Sequence, residues 1–310
     1  MVNCHVTNAS VLGETVNYDS YNVGGLVGGI LIGSTMSNCS FEGDVVGVSQ
    51  IGGLAGSAWD TTSITESYST GSVSGGYLIG GVVGYCTMSF VPNSNNIVNN
   101  CYSRSTVNAS LGRAGGIYGG ADSNLVLNNS YATGTVTAPE FAGGVVGYWG
   151  GGYNVVENCY FDTETSQLTD GVGGFGAAPA DYSIEGRTTS NMKTTDLVDL
   201  LNAGSEDGPW TIDATMNDGY PILNNNLSVN TTVFETVNVF PTVFTNEITV
   251  DVPASVQLKS FKMYNTIGAL VSEGDFSQAH SINTTNVPAG IFILHITTEN
   301  GTFTKKVMKQ

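Results

Sequence analysis

Along the first half of the chain, apolar and polar residues alternate in short β-branched runs, among them Ser72-Val73-Ser74 and Thr133-Gly134-Thr135-Val136-Thr137. A period of two places successive side chains on opposite faces, so these runs predict strands rather than helices. One glycine phrase punctuates them: Gly24-Gly25-Leu26-Val27-Gly28, Gly52-Gly53-Leu54-Ala55-Gly56, Gly80-Gly81-Val82-Val83-Gly84, Gly115-Gly116-Ile117-Tyr118-Gly119 and Gly143-Gly144-Val145-Val146-Gly147. The phrases start at 24, 52, 80, 115 and 143, in steps of 28, 28, 35 and 28. A fixed period of roughly 20 to 50 residues belongs to stacked repeat architectures rather than to a globular enzyme core.

A second marker travels with the glycines: Asn3-Cys4, Asn38-Cys39-Ser40, Ser67-Tyr68, Asn100-Cys101-Tyr102, Ser130-Tyr131 and Asn158-Cys159-Tyr160, six copies in all. Only glycine tolerates positive φ and close backbone approach without penalty, so the paired glycines predict a sharp bend between strand faces. The expected fold is all-β, a Gly-rich parallel β-solenoid whose units bury their apolar faces against their neighbours. With rungs about 4.8 Å apart and one coil per repeat, six rungs make a rod about 29 Å long. Repeats that wind more than one coil, or hairpin blades in an open array, are the alternatives.

The GGLVG and GGVVG phrases with their Asn-Cys-Tyr markers resemble the GLUG repeat of secreted and surface proteins of bacteria, over residues 1–160. The phrases Tyr160-Phe161-Asp162-Thr163-Glu164-Thr165-Ser166, Gly186-Arg187-Thr188-Thr189-Ser190-Asn191-Met192-Lys193, Trp210-Thr211-Ile212-Asp213 and Gly219-Tyr220-Pro221-Ile222-Leu223 resemble the segment that closes such arrays. That segment, 161–228, is expected to cap the open end of the solenoid. Within it Ser190 is expected to N-cap a helix over 191–203, with Leu197, Leu200 and Leu201 on one face and Gly204 at its end.

From about residue 229 the glycine phrases stop and short alternating segments follow at regular intervals: 236–240, 247–252, 259–265, 270–273, 281–283, 290–297 and 302–307. Their spacing predicts a small antiparallel β-sandwich, with Asn300-Gly301 turning the last pair. These strands carry Val239-Phe240-Pro241, Phe261-Lys262-Met263-Tyr264-Asn265 with Gly268, Val287-Pro288-Ala289-Gly290-Ile291-Phe292-Ile293-Leu294, and Gly301-Thr302-Phe303-Thr304-Lys305-Lys306-Val307. They resemble the C-terminal sorting domain of the type IX secretion system of Bacteroidota. Where that family usually shows Tyr-Pro-Asn-Pro, this chain has Phe240-Pro241-Thr242-Val243. The resemblance makes Phe240, Pro241, Gly268, Gly290, Gly301, Lys305 and Lys306 the sorting-signal residues. It implies recognition by type IX machinery at the outer membrane, common cleavage of the domain, and a passenger released or held at the cell surface. A generic β-sandwich adhesion module is the bland alternative.

Charge narrows the partners. A net charge of -17 with nine basic residues disfavours a grip on phosphate backbones or anionic lipid, so nucleic acid is not an expected partner. No stretch is long and apolar enough for a transmembrane helix. Met1-Val2-Asn3-Cys4 enters a repeat marker at once, with no basic start or apolar run, so the chain is expected to lack its signal peptide and to be an N-terminally incomplete piece of a longer protein.

Cys4, Cys39, Cys101 and Cys159 share one repeat position with Ser67 and Ser130. Same-position residues form a ladder, and two rungs span about 10 Å, beyond the reach of a disulfide. The expectation is a row of small buried residues, with a Cys4–Cys39 bridge between adjacent rungs left open; Cys86 has no evident partner. Three histidines, His5, His280 and His295, offer little acid–base chemistry. Gly171-Val172-Gly173-Gly174-Phe175-Gly176 spells a dinucleotide-binding motif but lacks its βαβ setting and continues the repeat. A polyuronate lyase needs basic groups, and residues 1–157 hold only Arg104 and Arg113. The densest acidic cluster, Asp162, Glu164 and Asp170, supplies the carboxylates of a hydrolase or, as a calcium site, oxygen ligands. No catalytic residue and no cofactor is assigned.

Tyr68, Tyr102, Tyr131 and Tyr160 each follow the Cys/Ser position, so they project on the opposite side and form a ladder of their own. Left exposed, that ladder is a platform for glycans or host and matrix proteins; otherwise the rings stack simply to hold the sheet. The sequence reading is a secreted or cell-surface, non-enzymatic repeat protein serving adhesion or as a stalk. The alternative is an accessory C-terminal fragment of a larger surface peptidase or glycosidase.

Overall fold

A computed structural model describes residues 1–13, 20–86, 95–122, 124–151, 154–176, 182–224, 238–252, 257–265, 269–276, 280–298 and 301–310. The chain divides into two compact units, Met1–Asn226 and Leu227–Gln310.

Each repeat is one coil. The leading glycines of successive phrases lie opposite one another in parallel strands, Gly24 against Gly52, Gly52 against Gly80, Gly80 against Gly115 and Gly115 against Gly143. This excludes multi-coil repeats and hairpin blades. One coil runs through Ser49–Gly52, the glycine bend, Ala55–Trp59, a corner, Ser63–Thr65, the marker bend and Tyr68–Gly75. Stacking these segments gives three parallel sheets of five, six and twelve strands. The seven extra residues of the long repeat are legible in the register. Val83 lies opposite Ala55, an offset of 28, but Ile97 lies opposite Ser63, an offset of 34, so six of the seven residues are inserted in the sequence between Cys86 and Asn96.

The glycine phrase is explained by close approach rather than by positive φ. A Cβ on Gly53 would sit 2.0 Å from the Gly81 carbonyl of the next coil and 2.6 Å from the Ser69 side chain. One on Gly84 would sit 2.4 Å from the Ile51 nitrogen. The five- and six-stranded sheets therefore meet backbone against backbone at the last glycine, and no side chain fits between them. The residues between the glycines point into the coil, where Leu54, Val82, Ile117 and Val145 are fully buried.

The stack runs past the last GGVVG phrase. Val172–Phe175, inside the apparent dinucleotide motif, pairs with Val146–Trp149, and Ile184–Arg187 pairs with Val155–Asp162, so this stretch is a further coil. The helical part of the closing segment differs from the expectation. Ser190 lies inside a short helix, α1 being Thr163–Ser166, α2 Thr189–Met192 and α3 Thr195–Leu201. Thr188 and Thr194, not Ser190, accept the N-cap hydrogen bonds of α2 and α3. Gly204, at φ +76°, follows the end of α3.

The C-terminal unit packs a three-stranded antiparallel sheet (Asn238–Phe240, Glu247–Asp251, Ser281–Asn283) on a five-stranded one. Ile248, Val250 and Ile282 of the first face Met263, Leu294, Ile296 and Val307 of the second in one core. The five-stranded sheet is antiparallel except at one edge, where Val243–Phe244 runs parallel to the last strand, Gly301–Lys309. That two-residue strand was not expected, being too short to show alternation.

Candidate functional site

The marker bend is built from a left-handed residue followed by a small donor. Asn38, Glu66, Asn100, Asn129 and Asn158 have φ between 47° and 52°, a region asparagine tolerates better than most side chains. The next residue then turns inward and satisfies the bend: Ser67 Oγ donates to the Thr65 carbonyl and Ser130 Oγ to that of Asn128, each at 2.7 Å. Cys39, Cys101 and Cys159 make the same bond from sulfur, at 3.2, 3.4 and 3.3 Å to the carbonyls of Ser37, Asn99 and Glu157. The serine oxygens also accept from the neighbouring coil, taking the N–H groups of Cys39 and Cys101. Cysteine and serine alternate because either closes the bend. All five cysteines are free, so Cys4 and Cys39 are not bridged. Burial pushes the thiols of Cys86, Cys101 and Cys159 up to about 12, which makes them unreactive near neutrality.

On the opposite side of the same strands the tyrosines stack. Tyr68 and Tyr102 have ring centroids 4.6 Å apart and Tyr102 and Tyr131 5.1 Å, with planes within 1°. The rings leave the coil as the alternation requires, but they do not form a surface platform. Tyr102, Tyr131 and Tyr160 are 3, 0 and 5 % exposed, and Tyr68, partly buried, packs against the same cluster. The closing segment lies along the side of the solenoid and covers them with Leu197 and Leu201 of α3, Trp210 and Tyr220. Its apolar face needs a matching apolar surface, and the aromatic row supplies one.

Polar groups fix the cover in register. Tyr131 donates its hydroxyl to the Pro221 carbonyl at 2.6 Å and accepts from Asn217 Nδ2 at 2.9 Å. Trp210 Nε1 donates to Asn100 Oδ1 at 3.0 Å, so a marker asparagine takes part. Arg104 donates to Asn217 and Asp218 and lies 5.1 Å above the Tyr220 ring. Arg187 pairs with Asp196 at 3.0 Å and sits over Tyr160. The few cations of the first unit therefore serve the cover, except Arg113, which lies 3.8 Å from the Tyr148 ring centroid.

The acidic cluster does not converge. Asp162 is fully buried, its Oδ1 accepting from the backbone of Glu164 and Thr165 to cap α1 and its Oδ2 from the Tyr220 hydroxyl at 2.8 Å. Glu164 turns away to accept from the Thr189 amide at the start of α2, and Asp170 is exposed. The calcium reading is corrected: the Asp162 carboxylate is already occupied by three protein donors. Among the described residues no three His, Cys, Asp or Glu side chains come together as metal ligands.

In the C-terminal unit the candidate sorting residues are distributed over two sheets. Phe240 ends the first strand half-exposed, followed by the exposed Pro241 after a cis peptide bond. Gly290 opens its strand at φ +153° opposite Lys309, and Gly301 lies opposite Thr298. Lys305 and Lys306 are exposed on the last strand, opposite Leu294 and Ile293, and Gly268 lies outside the described residues. The sequence reading missed Lys309, whose ammonium is held by three backbone carbonyls; a lone lysine beside the chain end carries no motif to reveal it.

No curated protein matches the chain, and no described helix is long and apolar enough to cross a membrane. Family models match at both ends: residues 19–46 and 47–74 fit the GLUG motif, and residues 238–310 fit the secretion system C-terminal sorting domain. The chain thus carries GLUG repeats joined to a C-terminal sorting domain of type IX secretion, which marks it as a secreted, cell-surface protein that engages the secretion machinery.

Proposed function

We propose that the repeat unit is a non-enzymatic stalk, displayed outside the cell by the sorting domain behind it. The observation that carries this reading is the buried tyrosine stack: the surface best suited to adhesion is consumed in fixing the cover to the coils. The repeat unit is strongly acidic in composition, with 20 acidic and four basic residues against six and five in the second unit. A large excess of one charge resists nonspecific association, which suits a spacer. Screening the full chain against arrays of glycans and matrix proteins tests the proposal. A stalk gives no saturable binding, whereas micromolar binding to a defined glycan or matrix protein makes the array an adhesin.

A further inference from the structure

The most unusual polar contact of the C-terminal unit is at its last-but-one residue. Lys309 Nζ donates to the carbonyls of Thr284, Thr285 and Val287 at 2.6, 3.3 and 2.8 Å. These oxygens belong to one ordered turn: the Val287 amide donates back to the Thr284 carbonyl, and Asn283 Oδ1 accepts from the amide and the hydroxyl of Thr285. An ammonium has three donor hydrogens and no acceptor, so three converging carbonyls satisfy it completely. Hydrogen bonds from a charged donor are also about twice as strong as neutral ones.

The position of this turn gives the contact its consequence. It leaves Ser281–Asn283 in the three-stranded sheet and leads to Gly290–Thr298 in the five-stranded one, so Lys309 ties the end of the chain to the crossing between sheets. The same end is held by backbone on both flanks. Gly290 and Ile291 pair with Lys309 and Met308 on one side. On the other, the amides of Met308 and Gln310 donate to the carbonyls of Thr242 and Phe244, just after the Phe240-Pro241 phrase. The two outer phrases of the sorting domain, about 65 residues apart in sequence, therefore meet at the terminus.

We propose that Lys309 is a positioning residue for export: it latches the strand Gly301–Lys309 to the crossing between the two sheets, so that the secretion machinery reads a folded edge assembled from 238–244 and 306–310. This rests on export through the sorting domain. The latch acts through the order it imposes on the chain end, not through contact with the machinery.

The test uses the full chain with Lys309→Met, which keeps most of the side-chain length without the charge, and Lys309→Arg, which keeps the charge. Hydrogen exchange is measured on the purified proteins, and export is measured with each chain behind a signal peptide in a bacterium with type IX secretion. Lys309→Met is expected to speed exchange at 308–310 and 284–287 by about 10- to 100-fold, leave strands of the repeat unit unchanged and cut export in parallel. Lys309→Arg should restore much of both. Unchanged exchange in Lys309→Met overturns the latch. Faster exchange with undiminished export overturns the idea that the ordered end is what is read, as does lost export with unchanged exchange. If Lys309→Met unfolds the whole C-terminal unit, Lys309→Arg decides: protection at 308–310 and 284–287 with export retained supports the latch, and loss of protection in the charged variant too overturns it. Failure of the unaltered chain to be exported is a separate result, against export itself.

Discussion

Truncating the tyrosines one at a time should give a steep gradient that only a covered stack produces. Tyr131 is fully buried, stacked on Tyr102 at 5.1 Å, tilted against Trp210 at 5.5 Å and bonded through its hydroxyl to the cover. Replacing a buried aromatic by alanine costs about 3–5 kcal/mol, and an aromatic pair adds about 0.5–1.5. Tyr131→Ala should therefore destabilise the repeat unit by about 4–6 kcal/mol. For a unit of this size each kcal/mol is about 2–4 °C, so its melting temperature falls by roughly 10–20 °C. Tyr68 stands at the end of the stack, partly buried, with one ring neighbour among the described residues, and Tyr68→Ala should cost about 1–2 kcal/mol. Tyr131→Phe isolates the polar part: it removes both hydrogen bonds of the hydroxyl, the one given to the Pro221 carbonyl and the one taken from Asn217, while Asn217 still donates to Pro221, for about 1–2 kcal/mol. Calorimetry and near-ultraviolet circular dichroism of the full chain read these shifts. Equal small losses, under about 1 kcal/mol at Tyr68 and Tyr131 alike, would mean exposed rings and refute the covering role of the closing segment.

Gly84→Ala should cost about 3 kcal/mol or more, because its new Cβ meets the Ile51 backbone at 2.4 Å, while Gly204→Ala, with nothing within 4 Å, should cost about 1 kcal/mol from its φ of +76° alone; chemical denaturation separates them. Cys101→Ser should be nearly neutral, within about 1 kcal/mol, since Ser67 and Ser130 already fill that position in adjacent coils, and equilibrium unfolding would show it. Thiol labelling should also follow burial. At pH 8 the native chain should react at the partly exposed Cys4 and leave Cys86, Cys101 and Cys159 unmodified, because their raised values keep them as neutral thiols until the pH approaches about 12; mass spectrometry of labelled peptides checks this.

Much of the fold was legible because the repeat repeats its own constraints. The spacing of the glycine phrases sets one coil per unit, and the Cys/Ser alternation marks a small inward position, since both signals are local and recur in every coil. The reason for the last glycine of each phrase was not legible, because its neighbour, such as Ile51 for Gly84, comes from a different sheet one coil earlier. The tyrosine row was legible as outward but not as covered. Leu197, Leu201 and Trp210 show that the closing segment has an apolar face, yet nothing local says whether that face meets the end of the stack or its side. Hydrogen bonds such as those from Tyr131 to Pro221 and from Arg104 to Asn217 join residues about 90 and 113 positions apart and leave no periodic trace. In the same way Asp162 looked like a ligand in a line of acids, while its partner Tyr220 lay 58 positions downstream.

The central claim is that an array of GLUG coils is delivered to the cell exterior by residues 238–310. The most direct measurement places the full chain behind a signal peptide in a bacterium with type IX secretion, with and without 238–310, and follows the repeat unit by immunoblot in periplasmic, surface and medium fractions. The account predicts the repeat unit at the surface or in the medium only when 238–310 is present. Retention of the full chain in the periplasm, or equal export of the truncated chain, would contradict it.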